Sequence, residues 1–193
     1  MNVDILLFDG FDELDAVGPY EVLQLAGRHG GDIAARLVTV EGVAAVEARN
    51  GLRVRTDGHP DDNADLLLVP GGGWNDSDAP GVRREHERGV VPEFIADRHA
   101  DGVTVASVCT GAMLLAKAGL LDGRPATTHH TAHEDLSDAG ANLRTDRFVD
   151  DGDVLTAGGI TAGFDLALAI VEDHCGADIA AAVATELEYE RAI

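Results

Sequence analysis

The chain is poor in lysine and cysteine and has no long apolar run, and each shortage excludes something. Of 14 basic residues only Lys117 is a lysine, against 35 Asp and Glu, giving a formal net charge of −21. Such a balance repels phosphate backbones, and no basic stripe or nucleic-acid-reading motif offsets it, so no nucleic-acid partner is expected. Two cysteines, Cys109 and Cys175, cannot form a disulfide framework, which fits an intracellular, cytoplasmic setting. No stretch approaches the roughly 18 apolar residues of a membrane span, so no membrane partner is expected. The start, "MNVDILLFDG", carries Asp4 and no basic region, and reads as a first strand, not a secretion signal.

What is present suits a globular protein. Hydrophobic residues make up 45% of 193, enough for one well-buried core, and a single domain over residues 1–193 is expected. The acids are scattered rather than gathered in a tail. A dense carboxylate surface of this kind keeps a protein hydrated under severe screening, so a halophilic, salt-rich cytoplasm is the expected habitat.

Short apolar runs alternate with helical patterns. Residues 3–8, 33–40, 64–69 and 103–108 read as buried strands. Asn50-Gly51 marks a hairpin within 43–56, and Asp151-Gly152 another within 147–159. Residues 125–130 read as a short strand. Helices are expected from Pro19 to about Gly30, across 81–102 with a new segment near Pro92, from Thr110 to Gly119 or Gly123, near 131–140, and over 161–176 and 177–192. This alternation predicts an α/β fold, a doubly wound and mostly parallel sheet with helices on both faces. Ligands of such sheets sit beyond the carboxyl ends of the strands. Three features fall there: the loop with Asp12, Glu13 and Asp15, the turn Gly71-Gly72-Gly73, and Cys109.

"TVASVCTGAMLLAKAGLLDG" places Cys109 at a strand-to-helix joint. A side chain on such a sharp turn is held exposed, and the helix start favours a thiolate, so an activated nucleophile with a lowered pKa is expected. The competing reading is an inert cysteine packed as a small hydrophobe. Asp15 either faces that thiol, with the two acids titrating as a coupled unit, or caps the helix near Pro19. Trp74 either walls a pocket or packs at a dimer contact. Thr161 suits a helix cap, and Cys175 a structural role. His129, His130 and His133 suggest a metal cluster at first glance, but no Cys or acid stands at matching spacing, and no metal is expected.

"VPGGG", "ASVCTGAMLLAKAGLLDGRPATTHH" and "LTAGGITAGFDLAL" together resemble the ThiJ/PfpI superfamily, whose fold is like that of class I glutamine amidotransferases. "LDAVGPYEVL" and "LEYE" narrow the likeness to isocyanide hydratase and the amidase-like modules of AraC-type regulators. The resemblance implies that Cys109 is the nucleophile, Asp15 its proton donor and Thr110 a further catalytic residue. It implies that the amides of Gly72 and Thr110 stabilise an anion, with Gly71, His129, Trp74 and Ile160 around the substrate. Thr110 stands where peptidase-like relatives place a histidine base, which disfavours a peptidase. His130 replaces the tryptophan usual in the subgroup. The expected activity is a cysteine-dependent hydratase or lyase of a small electrophile, isocyanide to N-substituted formamide, with no cofactor and a homodimeric state. The alternatives are dicarbonyl chemistry of glyoxalase or deglycase type, and a non-catalytic thiol sensor.

Overall fold

The computed structural model describes residues 1–192. It begins with strand β1 (Asn2–Leu6), helix α1 (Glu13–Arg28) and strand β2 (Ala34–Val38), followed by the hairpin β3 (Ala45–Glu47) and β4 (Arg53–Arg55). Strand β5 (Leu66–Val69) leads to helices α2 (Val82–Arg88) and α3 (Val90–Ala100), and then to strand β6 (Thr104–Val108). A 3-10 turn, Cys109–Gly111, opens into α4 (Ala112–Lys117). The short strands β7 (Pro125–Ala126) and β8 (Asn142–Leu143) flank a second 3-10 turn, His130–Ala132, and α5 (His133–Asp138). The hairpin β9 (Phe148–Asp150) and β10 (Val154–Ala157) precedes α6 (Ala162–Cys175) and α7 (Ala177–Glu186).

The main sheet runs β2-β1-β5-β6-β10-β9. Its first five strands are parallel, and β9 pairs antiparallel to β10 at one edge. The fold is thus the doubly wound α/β arrangement expected. Every residue of β5 and β10 is buried, which is why these strands read as unbroken apolar runs instead of alternating ones. Helices α1, α6 and α7 pack together, as do α2, α3 and α4, and the two groups cover the sheet. The chain leaves β1 first toward β2 and then, after the hairpin, toward β5 on the other side. That reversal opens a crevice at the carboxyl ends of β1 and β5. No described helix is long and apolar enough to cross a membrane.

Several helices differ from expectation, α7 ending at Glu186 rather than near 192. Helix α1 starts six residues ahead of Pro19, so the "ELDAVG" stretch is helical, not a loop. Glu13 holds this first turn from outside by accepting the backbone N–H and the side-chain amide of Asn50, at 2.8 and 2.7 Å. Acidic residues in a first turn also complement the helix dipole. Pro19 costs only the one internal bond that its missing N–H would have made. Helix α4 is shorter than expected, ending at Lys117 ahead of Gly119. The break between α2 and α3 falls at Gly89, which has φ +80°, rather than at Pro92.

Candidate active site

Cys109 adopts φ +58°, a left-handed backbone that a non-glycine residue rarely takes without support. The support is visible. Its N–H donates to the Gly158 carbonyl at 2.9 Å, and its own carbonyl accepts from the Thr128 hydroxyl at 2.8 Å. Strand β6 delivers the sulfur to the crevice, and the loop after β10 clamps it there. The side chain is 6% exposed yet lines a cavity of about 290 Å³. The side chain is thus buried, not held exposed as expected, but it borders a cavity.

Asp15 lies behind the sulfur with no exposure to solvent. The longer α1 sets this position, and it overturns the reading of Asp15 as a cap. One carboxyl oxygen, Oδ2, accepts from the Gly71 N–H at 3.0 Å. The other, Oδ1, is buried without a conventional partner, and the Cys109 thiol is the side chain that interacts with this carboxyl. Burial, aided by the charge of Asp12, pushes the Asp15 pKa up to about 7. Burial and the Asp15 charge push the Cys109 thiol up to about 12, against the pull of the Thr110 and Ile160 backbone N–H groups on the sulfur.

The expectation of an independently acidic thiol is thereby corrected. Behind Cys109 stand only one 3-10 turn and a six-residue helix, too little to outweigh a buried carboxyl alongside. Two negative charges in one dry pocket repel, so the pair holds a single negative charge over the interval between these two values.

The glycine turn also departs from expectation. The Gly72 N–H does not face the cavity unpaired, because it donates to Thr110 Oγ1 at 3.0 Å. That bond uses a lone pair of the hydroxyl and leaves its proton free. The backbone N–H groups that act on the sulfur are those of Thr110 and Ile160. Ile160 has φ +34°, an unusual conformation that turns its N–H to the sulfur.

Trp74 is 4% exposed and walls the cavity. Its Nε1–H donates to Asp135 at 2.6 Å, and the Arg83 guanidinium stacks 3.7 Å over its ring, so the wall is rigid. His129 lines the same cavity. The His129 and His130 rings lie 4.2 Å apart, while His133 Nε2 bonds the Thr128 carbonyl and His129 Nδ1 bonds Thr131. Thr161 makes no side-chain cap; its hydroxyl lies 3.4 Å from Arg147. Sequence reasoning placed Asp12 at this end of the sheet but missed Arg49 and Thr128. Arg49 reaches the cavity from the turn of the β3–β4 hairpin, 4.0 Å from Asp12. Only the "TTHH" motif signalled Thr128.

The sequence and the fold both have known relatives. Residues 1–173 match the DJ-1/PfpI family. The chain is 37% identical over 191 residues to an isonitrile hydratase of Pseudomonas putida, covering 98% of this chain and 78% of that one. It is 32% identical over 193 residues to the HTH-type transcriptional regulator CdhR of Pseudomonas aeruginosa, covering 96% of this chain and 54% of the regulator. Among solved structures, a ThiJ/PfpI family protein from Pseudomonas syringae superposes with a TM-score of 0.84 at 27% identity, covering 98% of this chain and 75% of that one.

Proposed function

The chain belongs to the DJ-1/PfpI family, and we propose that within it this protein is a cysteine-dependent hydratase that converts a small isonitrile (isocyanide) to an N-substituted formamide. One observation carries the reading: a buried carboxyl with an unpartnered oxygen, set against a cysteine on a strained elbow. The likeness to an isonitrile hydratase over nearly the whole chain supports it.

Asp15 and Cys109 share one proton when the pair carries a single charge. With the proton on Asp15, the sulfur is a thiolate held by the Thr110 and Ile160 amides. It attacks the terminal carbon of R–N≡C, forming an S–C bond. The Asp15 proton moves to that carbon, giving the thioimidate R–N=CH–S–Cys109. Asp15, now a carboxylate, takes a proton from water as the oxygen adds to the same carbon. The second water proton goes to nitrogen, the C–S bond breaks, and R–NH–CHO leaves. Thiolate and carboxylic acid are restored, with water as the one co-reactant. The Thr110 hydroxyl, whose proton meets no acceptor among the described residues, donates to the nitrogen as its electron density rises.

Formamide production from a panel of alkyl isonitriles tests the reading, with Cys109→Ala as control. Turnover that survives Cys109→Ala rejects the mechanism. No turnover of any isonitrile, with methylglyoxal consumed instead, reassigns the same pair to dicarbonyl chemistry.

A further inference from the structure

His129 lines the cavity that Cys109 borders, and its ring is held at Nδ1. Its Nδ1 lies 3.4 Å from the Thr131 backbone N–H and 2.9 Å from Thr131 Oγ1. A backbone N–H is always a donor, so Nδ1 is the acceptor whichever way the threonine hydroxyl turns. The hydroxyl agrees. Asn75 Nδ2 donates to Thr131 Oγ1 at 3.0 Å, which leaves the Thr131 proton to point at Nδ1. A neutral imidazole whose Nδ1 accepts carries its proton on Nε2. Among the described residues Nε2 has no hydrogen-bond partner. That edge lies over Gly159, where a Cβ would come within 2.5 Å of Cδ2 and 3.2 Å of Nε2, so only glycine admits the ring there. His129 lines the cavity together with Cys109, Thr110 and Ile160.

We propose that Asn75 and Thr131 are positioning residues that fix His129 as an Nε2–H donor, and that this donor receives a lone-pair acceptor of the bound ligand, an imino nitrogen or a carbonyl oxygen. His129 then orients the ligand and does not abstract protons. Burial and the neighbouring His130 and His133 hold its pKa below the ordinary value, consistent with a neutral ring. The choice of ligand rests on the hydratase reading; the tautomer does not. Asn75 follows Trp74 in the loop that also carries Gly71, so one segment holds both the Asp15 carboxyl and, through Thr131, the histidine.

Nitrogen NMR of the isotope-labelled protein at about pH 8, where free imidazole is neutral, tests this, with His129→Gln assigning the signal. The expected spectrum shows Nδ1 bare and Nε2 protonated, and N-butylformamide shifts the Nε2 resonance. Thr131→Val weakens that probe about five-fold, the loss of one hydrogen bond's worth of positioning, and Thr131→Ser restores it. Should Thr131→Val fail to fold, Asn75→Ala, which removes only the outer donor, replaces it with the same direction expected. A proton on Nδ1 in the parent overturns the proposal. So does an Nε2 signal that N-butylformamide leaves unmoved, or equal probe affinity in parent and variant. A protein that binds the formamide this way yet hydrates no isonitrile keeps the inference and loses the reaction.

Discussion

The Asp15 carboxyl and the Cys109 thiol face each other out of bulk water, and the charge on either raises the proton affinity of the other. Neither group alone is a strong acid here. In the proposed reaction the sulfur becomes nucleophilic when the thiol proton moves to the neighbouring oxygen, because Asp15, with the lower of the two values, carries the pair's resting charge. The pair is neutral and unreactive below the first of its two values, about 7, and doubly charged only above the second, about 12. The rate of Cys109 alkylation, and kcat/KM for isonitrile hydration, should therefore rise with pH through a midpoint near 7 and stay level well into the alkaline range. Iodoacetamide labelling across pH in a Cys175→Ser background checks it. A midpoint near the ordinary cysteine value would show that the carboxyl plays no part.

The same coupling fixes how stability responds to pH. The folded pKa of Asp15, about 7, stands above its ordinary value of 3.8. Its protonated form is favoured in the fold, so its contribution is intact below the unfolded value and is lost as the pH rises through about 7. Asp15→Asn removes the titration and can still accept the Gly71 N–H. The variant should melt about 5 °C above the parent at alkaline pH, with the gap closing toward pH 4. Its hydration rate should fall about 10³-fold for want of a proton donor. A melting difference that does not vary with pH would contradict the burial of an ionisable acid.

Thr110 is expected to act through its hydroxyl and not through its shape. Thr110→Val keeps the volume but strands the buried Gly72 N–H, which costs about 1–3 kcal/mol, and removes the free donor beside the sulfur. Activity should drop about 10²-fold, with KM changing less than kcat, while Thr110→Ser stays within about 3-fold of the parent. Steady-state kinetics of the two variants on one isonitrile decides this. Equal losses in both would mean that the methyl group matters more than the hydroxyl.

Much of this was legible in the sequence because it rests on local rules. Four short, mostly apolar runs and two Asx-Gly turns marked the buried strands and hairpins, and the strand-to-helix joint marked Cys109. What was not legible depends on distant contacts. The start of α1 was hidden because Glu13 is tied to Asn50, 37 residues away, and a proline inside the helix suggested a later start. With the helix start misplaced, Asp15 could pass for a cap. The raised thiol pKa was hidden because burial of the Asp15–Cys109 pair is a property of the whole fold. The Gly72 amide looked free because its partner, Thr110, stands 38 residues further on, across the crevice. The hydroxyl of Thr128, which holds the elbow open, and the Asn75–Thr131 relay onto His129 belong to the same class.

Gly72 offers the most severe test of the turn that faces the cysteine. Its φ is +117°, and a Cβ there would fall 2.5 Å from the Asp12 N and 2.7 Å from the Gly10 carbonyl oxygen. Those are backbone atoms of the loop between β1 and α1, and they cannot swing aside as a side chain can. Relief would require this loop to move, and the loop leads into the first turn of α1, where Asp15 sits. Gly72→Ala should therefore destabilise the protein by about 3 kcal/mol or more and, in whatever fraction folds, slow both hydration and Cys109 alkylation at least about 10-fold. Gly123→Ala is the matched control. Its φ is also positive, at +70°, but no atom lies within 4 Å of the added carbon. It should cost about 1 kcal/mol and leave the thiol's reactivity unchanged. If urea titrations and labelling rates of the two variants coincide, the close approach of Gly72 to the β1–α1 loop is not what holds the carboxyl against the sulfur.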